Sequence, residues 1–138
     1  MKAKLLLRIA SVIMLLHTIG HTIAALTWKE APNPAIQHVV DDMLNNRFDF
    51  LGRSVSIGDF YAGYGYSMIG VLLLVSIFLW ILSNQLIRRM ILPLGLFLVF
   101  LAVIELIYFF PIPAALSLLA GIVALMAYKK TDYSRADR

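Results

Sequence analysis

The stretch LLLRIASVIMLLHTIGHTIAALT, residues 5–27, is long and apolar, and its only ionisable side chains are Arg8, His17 and His21. A helix that crosses a membrane needs about 20 consecutive, mostly apolar residues. Three further stretches of this kind follow, at residues 60–82, 90–110 and 112–128. The sequence therefore predicts an all-α integral membrane protein in which four transmembrane helices form a bundle.

The composition of the chain supports lipid as its solvent. Of its 138 residues 61% are hydrophobic and 14% are charged, whereas soluble domains have about 45–50% apolar and about 25% charged residues. The chain has no cysteine, which excludes disulfides, thiolate metal sites and a cysteine nucleophile. We expect one domain that covers residues 1–138, without repeats or low-complexity segments.

A secretory signal peptide is the alternative interpretation of the first stretch, because Lys2 and Lys4 precede it. The apolar part of a signal peptide has about 7–15 residues and is followed by a small-residue cleavage site. The run here is longer, and no such site follows it. We therefore predict an uncleaved helix.

The basic residues predict the orientation of the helices. Nine of the twelve Lys and Arg residues would lie on one side, namely Lys2, Lys4, Arg8, Arg88, Arg89, Lys129, Lys130, Arg135 and Arg138. The other side would hold Lys29, Arg47 and Arg53. Cytoplasmic segments are enriched in Lys and Arg, so both termini are expected in the cytoplasm. The basic residues are then membrane-surface anchors, and no nucleic-acid partner is predicted.

The outer loop, residues 28–59, is expected to contain a short amphipathic helix. Asn33-Pro34 has the order of an N-cap followed by proline at the first helical position. The apolar residues after it fall on one helical face, and they are Ile36, Val39, Val40, Met43 and Leu44. Such a helix, ending near Asn45-Asn46, suits the outer membrane surface or a cap over the bundle.

Polar side chains from three helices are predicted to meet in the outer half of the bundle. His17 and His21 are four residues apart and share a helical face. Glu105 is the only acidic residue deep within a predicted span, and Asp59 stands at the start of the second one. The ligand-binding residues expected in this outward-opening site are His17, Arg53, Asp59, Tyr61 and Tyr108.

Ionisable groups inside a bilayer are costly and usually mark a functional site. Whether the protein is an enzyme stays open, but His21 and Glu105 are the candidate acid and base for a lipid-like substrate. A divalent metal such as zinc is one candidate cofactor, with His17, His21 and Glu105 as ligands. The motif HExxH is absent because Thr18 follows the first histidine, so a metalloprotease is not expected.

Two other functions remain open. The polar cluster could clamp helices in a structural or partner subunit. The chain also has the size of the protomer of a small multidrug exporter, which works as a dimer, so a proton-coupled transporter and a homo-oligomer are alternatives. Such exporters carry their glutamate in the first helix, where this chain has histidines.

The motifs HTIGH (residues 17–21) and GRSVSIGDFYAGYG (residues 52–65) resemble those of a group of small bacterial membrane proteins. That group shares a four-helix layout and the patterns HTxGH and RS…DFYxGxG, and no activity is established for it. The resemblance implies a multi-pass protein of the bacterial inner membrane. It also groups six residues as a set, which are His17, His21, Arg53, Ser54, Asp59 and Gly63.

Overall fold

The computed structural model describes the backbone of residues 2–136 and the side chains of residues 2–131. Its elements are α1 (Ala3–Thr27), α2 (Pro34–Asn45), β1 (Arg47–Phe50), β2 (Arg53–Ser56), α3 (Ile57–Gln85), α4 (Arg88–Tyr108) and α5 (Pro111–Ala136). The expected all-α architecture with four long apolar helices is confirmed. Within the described residues, four segments are long and apolar enough to cross a membrane, namely α1, α3, α4 and Pro111–Thr131 of α5. They indicate a multi-pass membrane protein.

The chain divides into two compact units. The first unit contains the residues up to 18 and those from 71 onward, so it includes α4, α5, most of α1 and the second half of α3. The second unit contains residues 19–70, with α2, the two strands and the adjoining ends of α1 and α3.

In the first unit, α4 and α5 pack closely because glycines lie at their contact. A Cβ atom at Gly121 would lie 3.1 Å from the backbone nitrogen of Val99 and 3.2 Å from the carbonyl oxygen of Gly95. A Cβ atom at Gly95 would lie 2.9 Å from a methyl group of Leu125. Small residues of this kind allow helix backbones to approach each other within a membrane.

A pair of serines joins α1 to α3 in the same unit. The hydroxyl of Ser11 donates to the carbonyl oxygen of Ser76 at 2.7 Å, and the hydroxyl of Ser76 donates to the carbonyl oxygen of Ser11 at 2.8 Å. Both side chains are buried. Neither hydroxyl is therefore left without an acceptor in the apolar interior.

In the second unit, α2 begins at an N-cap. The side chain of Asn33 accepts a hydrogen bond from the backbone N–H of Ile36 at 3.0 Å, and Pro34 is the first helical residue. This arrangement satisfies one of the N–H groups that a helix start leaves without an intrahelical partner.

A two-stranded antiparallel hairpin, which was not predicted from the sequence, links α2 to α3. Its strands pair Arg47 with Ser56 and Phe50 with Arg53. The two-residue turn is Leu51-Gly52, with φ angles of 52° and 80°. Two positive φ angles in succession are the signature of a type I′ turn, whose twist matches that of the paired strands.

Candidate functional site

His17 and Glu105 contact each other inside the first unit. Nε2 of His17 on α1 lies 3.4 Å from Oε1 of Glu105 on α4. This distance is longer than the about 2.7–3.2 Å of a typical N–H···O hydrogen bond, so the contact is looser than a tight hydrogen bond. The two residues are 3% and 6% exposed. Of the predicted site residues, His17 and Glu105 are therefore in contact.

Ser117 of α5 completes this cluster on the other side of the imidazole ring. Its hydroxyl lies 3.2 Å from Nδ1 of His17 and is fully buried, at 0% exposure. His17, Glu105 and Ser117 are called the buried polar set below. The set takes one side chain from each of three helices of the first unit.

The His17–Glu105 pair has zero net charge in two forms, which differ only in which of the two side chains holds the shared proton. One form is an imidazolium beside a carboxylate, and the other is a neutral imidazole beside a carboxylic acid. A net charge is costly inside a membrane. Both neutral forms therefore suit the buried position, and a proton can be held by either group.

The second carboxyl oxygen of Glu105, Oε2, has no polar contact within the described residues that is comparable to that of Oε1 with His17. Oε2 is buried and has no hydrogen-bond partner among the residues whose side chains the structure describes. A buried polar atom that lacks a partner costs about 1–3 kcal/mol, and more when it is charged.

An apolar groove of about 250 Å³ runs between α4 and α5. Its lining includes Ala102 and Leu106 of α4 and Ala114 of α5. Glu105 and Ser117 do not line it, although they are close in sequence to residues that do. The groove thus lies beside the buried polar set without reaching its polar atoms.

His21 has a polar contact of its own in the second unit. Its Nε2 lies 3.1 Å from the carbonyl oxygen of Gly65 on α3, so the ring donates a hydrogen bond there. The same glycine approaches α1 closely, since a Cβ atom at Gly65 would lie 3.5 Å from that of Ala25. His21 thus joins α1 to α3 through a backbone carbonyl.

Asp59 caps the start of α3. The backbone N–H of Ser56 donates to Oδ2 of Asp59 at 3.0 Å, and the N–H of Asp59 donates to the hydroxyl of Ser56 at 3.1 Å. This reciprocal pair is a capping box. Arg47 of β1 also lies 3.2 Å from the same carboxyl oxygen and donates through Nε to the hydroxyl of Ser54. Asp59 therefore fixes the junction between the hairpin and the helix.

The other predicted ligand-binding residues are Arg53 and Tyr61 of the second unit and Tyr108 of the first. Arg53 is exposed on β2, where it pairs in register with Phe50. The ring of Tyr61 packs against that of Trp28, with centroids 4.8 Å apart. Tyr108 is exposed at the end of α4.

No group of three or more His, Cys, Asp or Glu residues that could hold a metal ion occurs in the described part of the chain. His17 and Glu105 supply two of the three predicted ligands, and their neighbour in the buried polar set is a serine hydroxyl.

Two residues with central contacts, Ser117 and Arg47, were missed by the sequence analysis. Ser117 is a single serine in an apolar run, and serine is common in membrane helices, so nothing local distinguishes it. Arg47 carried a clearer signal, because it starts an alternating RFDF segment that precedes a glycine. That pattern is typical of a hairpin strand, from which a cross-strand cation can reach the next helix.

The chain matches no protein-family model, no curated protein and no solved structure.

Proposed function

We propose that this protein is a small multi-pass protein of the bacterial inner membrane with both termini in the cytoplasm. The uneven distribution of its Lys and Arg residues supports this orientation, and the resemblance of its two motifs supports the bacterial origin. In this proposal the four long helices form the transmembrane domain, and α2 lies on the outer membrane surface.

The proposed activity is the binding of one small ligand at Glu105. The observation that carries this proposal is the buried Oε2 atom without a partner among the described residues. A ligand N–H or O–H group at this atom would satisfy it. His17, which is in contact with the other carboxyl oxygen, would keep the pair neutral overall.

The surroundings favour an apolar ligand that carries a single donor group. Most neighbours of Glu105 and Ser117 in sequence are aliphatic, and the groove between α4 and α5 is lined by apolar side chains. Apolar sites with a few placed polar groups are typical of small-molecule binding. A lipid-like molecule with a hydroxyl or amino group fits this description. Acid–base chemistry on such a molecule would use Glu105 and His17.

A second candidate function is a clamp that holds helices together. It is favoured by the observation that the three members of the buried polar set come from α1, α4 and α5. Interhelical hydrogen bonds in membranes contribute about 0.6 kcal/mol on average and up to about 1.7 kcal/mol. In this case the protein would serve as a structural or partner subunit.

Comparison of the wild-type protein with Glu105→Gln and Ser76→Ala separates the two functions. Each protein is purified in mild detergent, its bound small molecules are identified by mass spectrometry, and its thermal unfolding is recorded. The ligand proposal predicts a molecule that wild type and Ser76→Ala retain and Glu105→Gln loses, with a smaller fall in unfolding temperature for Glu105→Gln than for Ser76→Ala. Ser76→Ala is the control because it removes another buried interhelical contact.

The opposite result would establish the clamp. In that case no bound molecule would be specific to the two proteins that keep Glu105. The unfolding temperature of Glu105→Gln would also fall at least as much as that of Ser76→Ala.

A further inference from the structure

We propose that the corner between the end of α3 and the start of α4 binds one anionic phospholipid. Its phosphate would lie on Arg89, and one acyl chain would lie in the adjoining groove. This site belongs to the first unit and is independent of ligand binding at Glu105.

The groove at this corner has the composition of an acyl-chain site. It has a volume of about 310 Å³ and is lined by apolar side chains that include Phe78 and Leu82 of α3 and Pro93 and Phe97 of α4. Arg89 is the one charged side chain in the lining that the structure describes. An apolar groove with one cation in its lining matches a molecule with a hydrocarbon chain and an anionic head.

The other arginines at this end of the unit already have contacts. The guanidinium of Arg8 lies 4.9 Å from the ring centre of Trp80, and that of Arg88 lies 4.1 Å from the ring centre of Tyr128. Arg89 is exposed, and it has no ion pair, hydrogen bond or ring contact within the described side chains, residues 2–131. Its guanidinium is therefore able to receive a phosphate.

The local charge favours an anion at this place. Arginine binds phosphate through two parallel N–H···O bonds, and basic residues next to membrane helices attract anionic lipids. The start of α4 adds positive potential, since its N-cap residue Ile87 makes no side-chain cap and its first turn contains no acidic residue. Charge complementarity therefore selects an anionic phospholipid over a zwitterionic one.

Native mass spectrometry of the full chain in detergent micelles tests the proposal. The probes are phosphatidylglycerol and phosphatidylethanolamine with identical acyl chains. The wild-type protein is expected to retain one phosphatidylglycerol in preference to phosphatidylethanolamine. Arg89→Gln should retain severalfold less of it. The control Lys29→Gln, which removes an exposed cation of the second unit, should behave as the wild type does.

A second variant separates the contribution of the groove to lipid binding from the contribution of the Arg89 charge. Leu94→Trp narrows the groove, which Leu94 also lines, and leaves Arg89 in place. It should lose phosphatidylglycerol as Arg89→Gln does, while its helical content by circular dichroism stays the same. Added inorganic phosphate should not displace the bound lipid.

Three results would overturn the proposal. One is equal retention of the two lipids by the wild-type protein, and another is unchanged retention by Arg89→Gln. The third is displacement of the lipid by inorganic phosphate, because it would reduce the site to a surface cation without an acyl-chain groove.

Discussion

Single polar side chains in membrane helices have different partners even when they are close in sequence. His17 contacts a carboxyl and a hydroxyl group, whereas His21 donates to a backbone carbonyl. A residue four positions further along a helix is about 6 Å higher and rotated by about 40°. Shared spacing therefore puts two side chains on one face, and each of them still makes polar contacts of its own.

The turn residue Leu51 gives a prediction at the same scale. It is 92% exposed and has a φ of 52°, which is unfavourable for leucine and well tolerated by asparagine. We expect Leu51→Asn to stabilise the hairpin by about 1 kcal/mol. Hydrogen exchange of the β1 and β2 amides should become severalfold slower.

Leu51→Val provides the opposite test at the same position. A β-branched residue is poorly suited to a positive φ, so this variant should exchange faster than the wild type. If asparagine and valine changed the exchange rates equally, the positive φ at this turn would not limit the stability of the hairpin.

The residues of the candidate site could be predicted from sequence only in part. Glu105 was identifiable because a carboxyl group within an apolar span needs a partner. Ser117 was not, since its role depends on which faces of α1 and α5 meet, and that is a property of the packed chain. Asp59 was predicted as a ligand-binding residue from its place at the start of the second apolar stretch, whereas its contacts to Ser56 and Arg47 could not be predicted without the hairpin.

At the scale of elements, the apolar runs predicted the long helices well and their ends less well. The second apolar stretch was predicted to begin at residue 60, but its helix, α3, begins at Ile57 because the capping box of Ser56 and Asp59 sets its start. The helix of the fourth apolar stretch, α5, continues through Lys129 and Lys130. Lysine ends an apolar span, but it is a good helix former. Hydropathy therefore locates the membrane segment, and capping locates the helix end.

The hairpin shows why short elements escape such a prediction. Each strand has four residues, and the turn is Leu-Gly rather than the typical Asn-Gly. The alternation in RFDF was present, but a two-stranded hairpin is only marginally stable alone. Its stability here depends on contacts outside the strands, such as those of Phe60 with Phe48 and Phe50.

The contact between α4 and α5 gives a prediction at this scale. Gly121→Ala would place a methyl group against the backbone of α4, at 3.1–3.2 Å from Val99 and Gly95 atoms, and force the helices apart. We expect a loss of about 1–3 kcal/mol in the free energy of unfolding, as for other overpacked interiors. Thermal unfolding in detergent would measure it.

Gly70→Ala is the matched control, because nothing lies within 4 Å of a Cβ atom at that glycine of α3. Alanine has a higher helix propensity than glycine by about 1 kcal/mol, so this variant should be at least as stable as the wild type. Equal effects of the two alanines would contradict the close packing of α4 and α5.

At the scale of the whole molecule, the orientation in the membrane can be tested with single cysteines, because the natural chain has none. Glu30→Cys and Lys130→Cys place a thiol at exposed positions, before α2 and near the end of the fourth apolar segment. In intact cells, a membrane-impermeant maleimide should label the first and leave the second unlabelled until the membrane is opened. Labelling of both in intact cells would contradict cytoplasmic termini.

The proposed site depends most on the contact between His17 and Glu105 inside a lipid environment. A double-mutant cycle with His17→Ala and Glu105→Ala, measured as free energies of unfolding in bilayers, tests it directly. We predict a coupling energy of about 0.5–2 kcal/mol, and a value near zero for the control cycle of Ser76→Ala with Glu105→Ala. A coupling energy indistinguishable from zero for His17 and Glu105 would contradict the buried polar set.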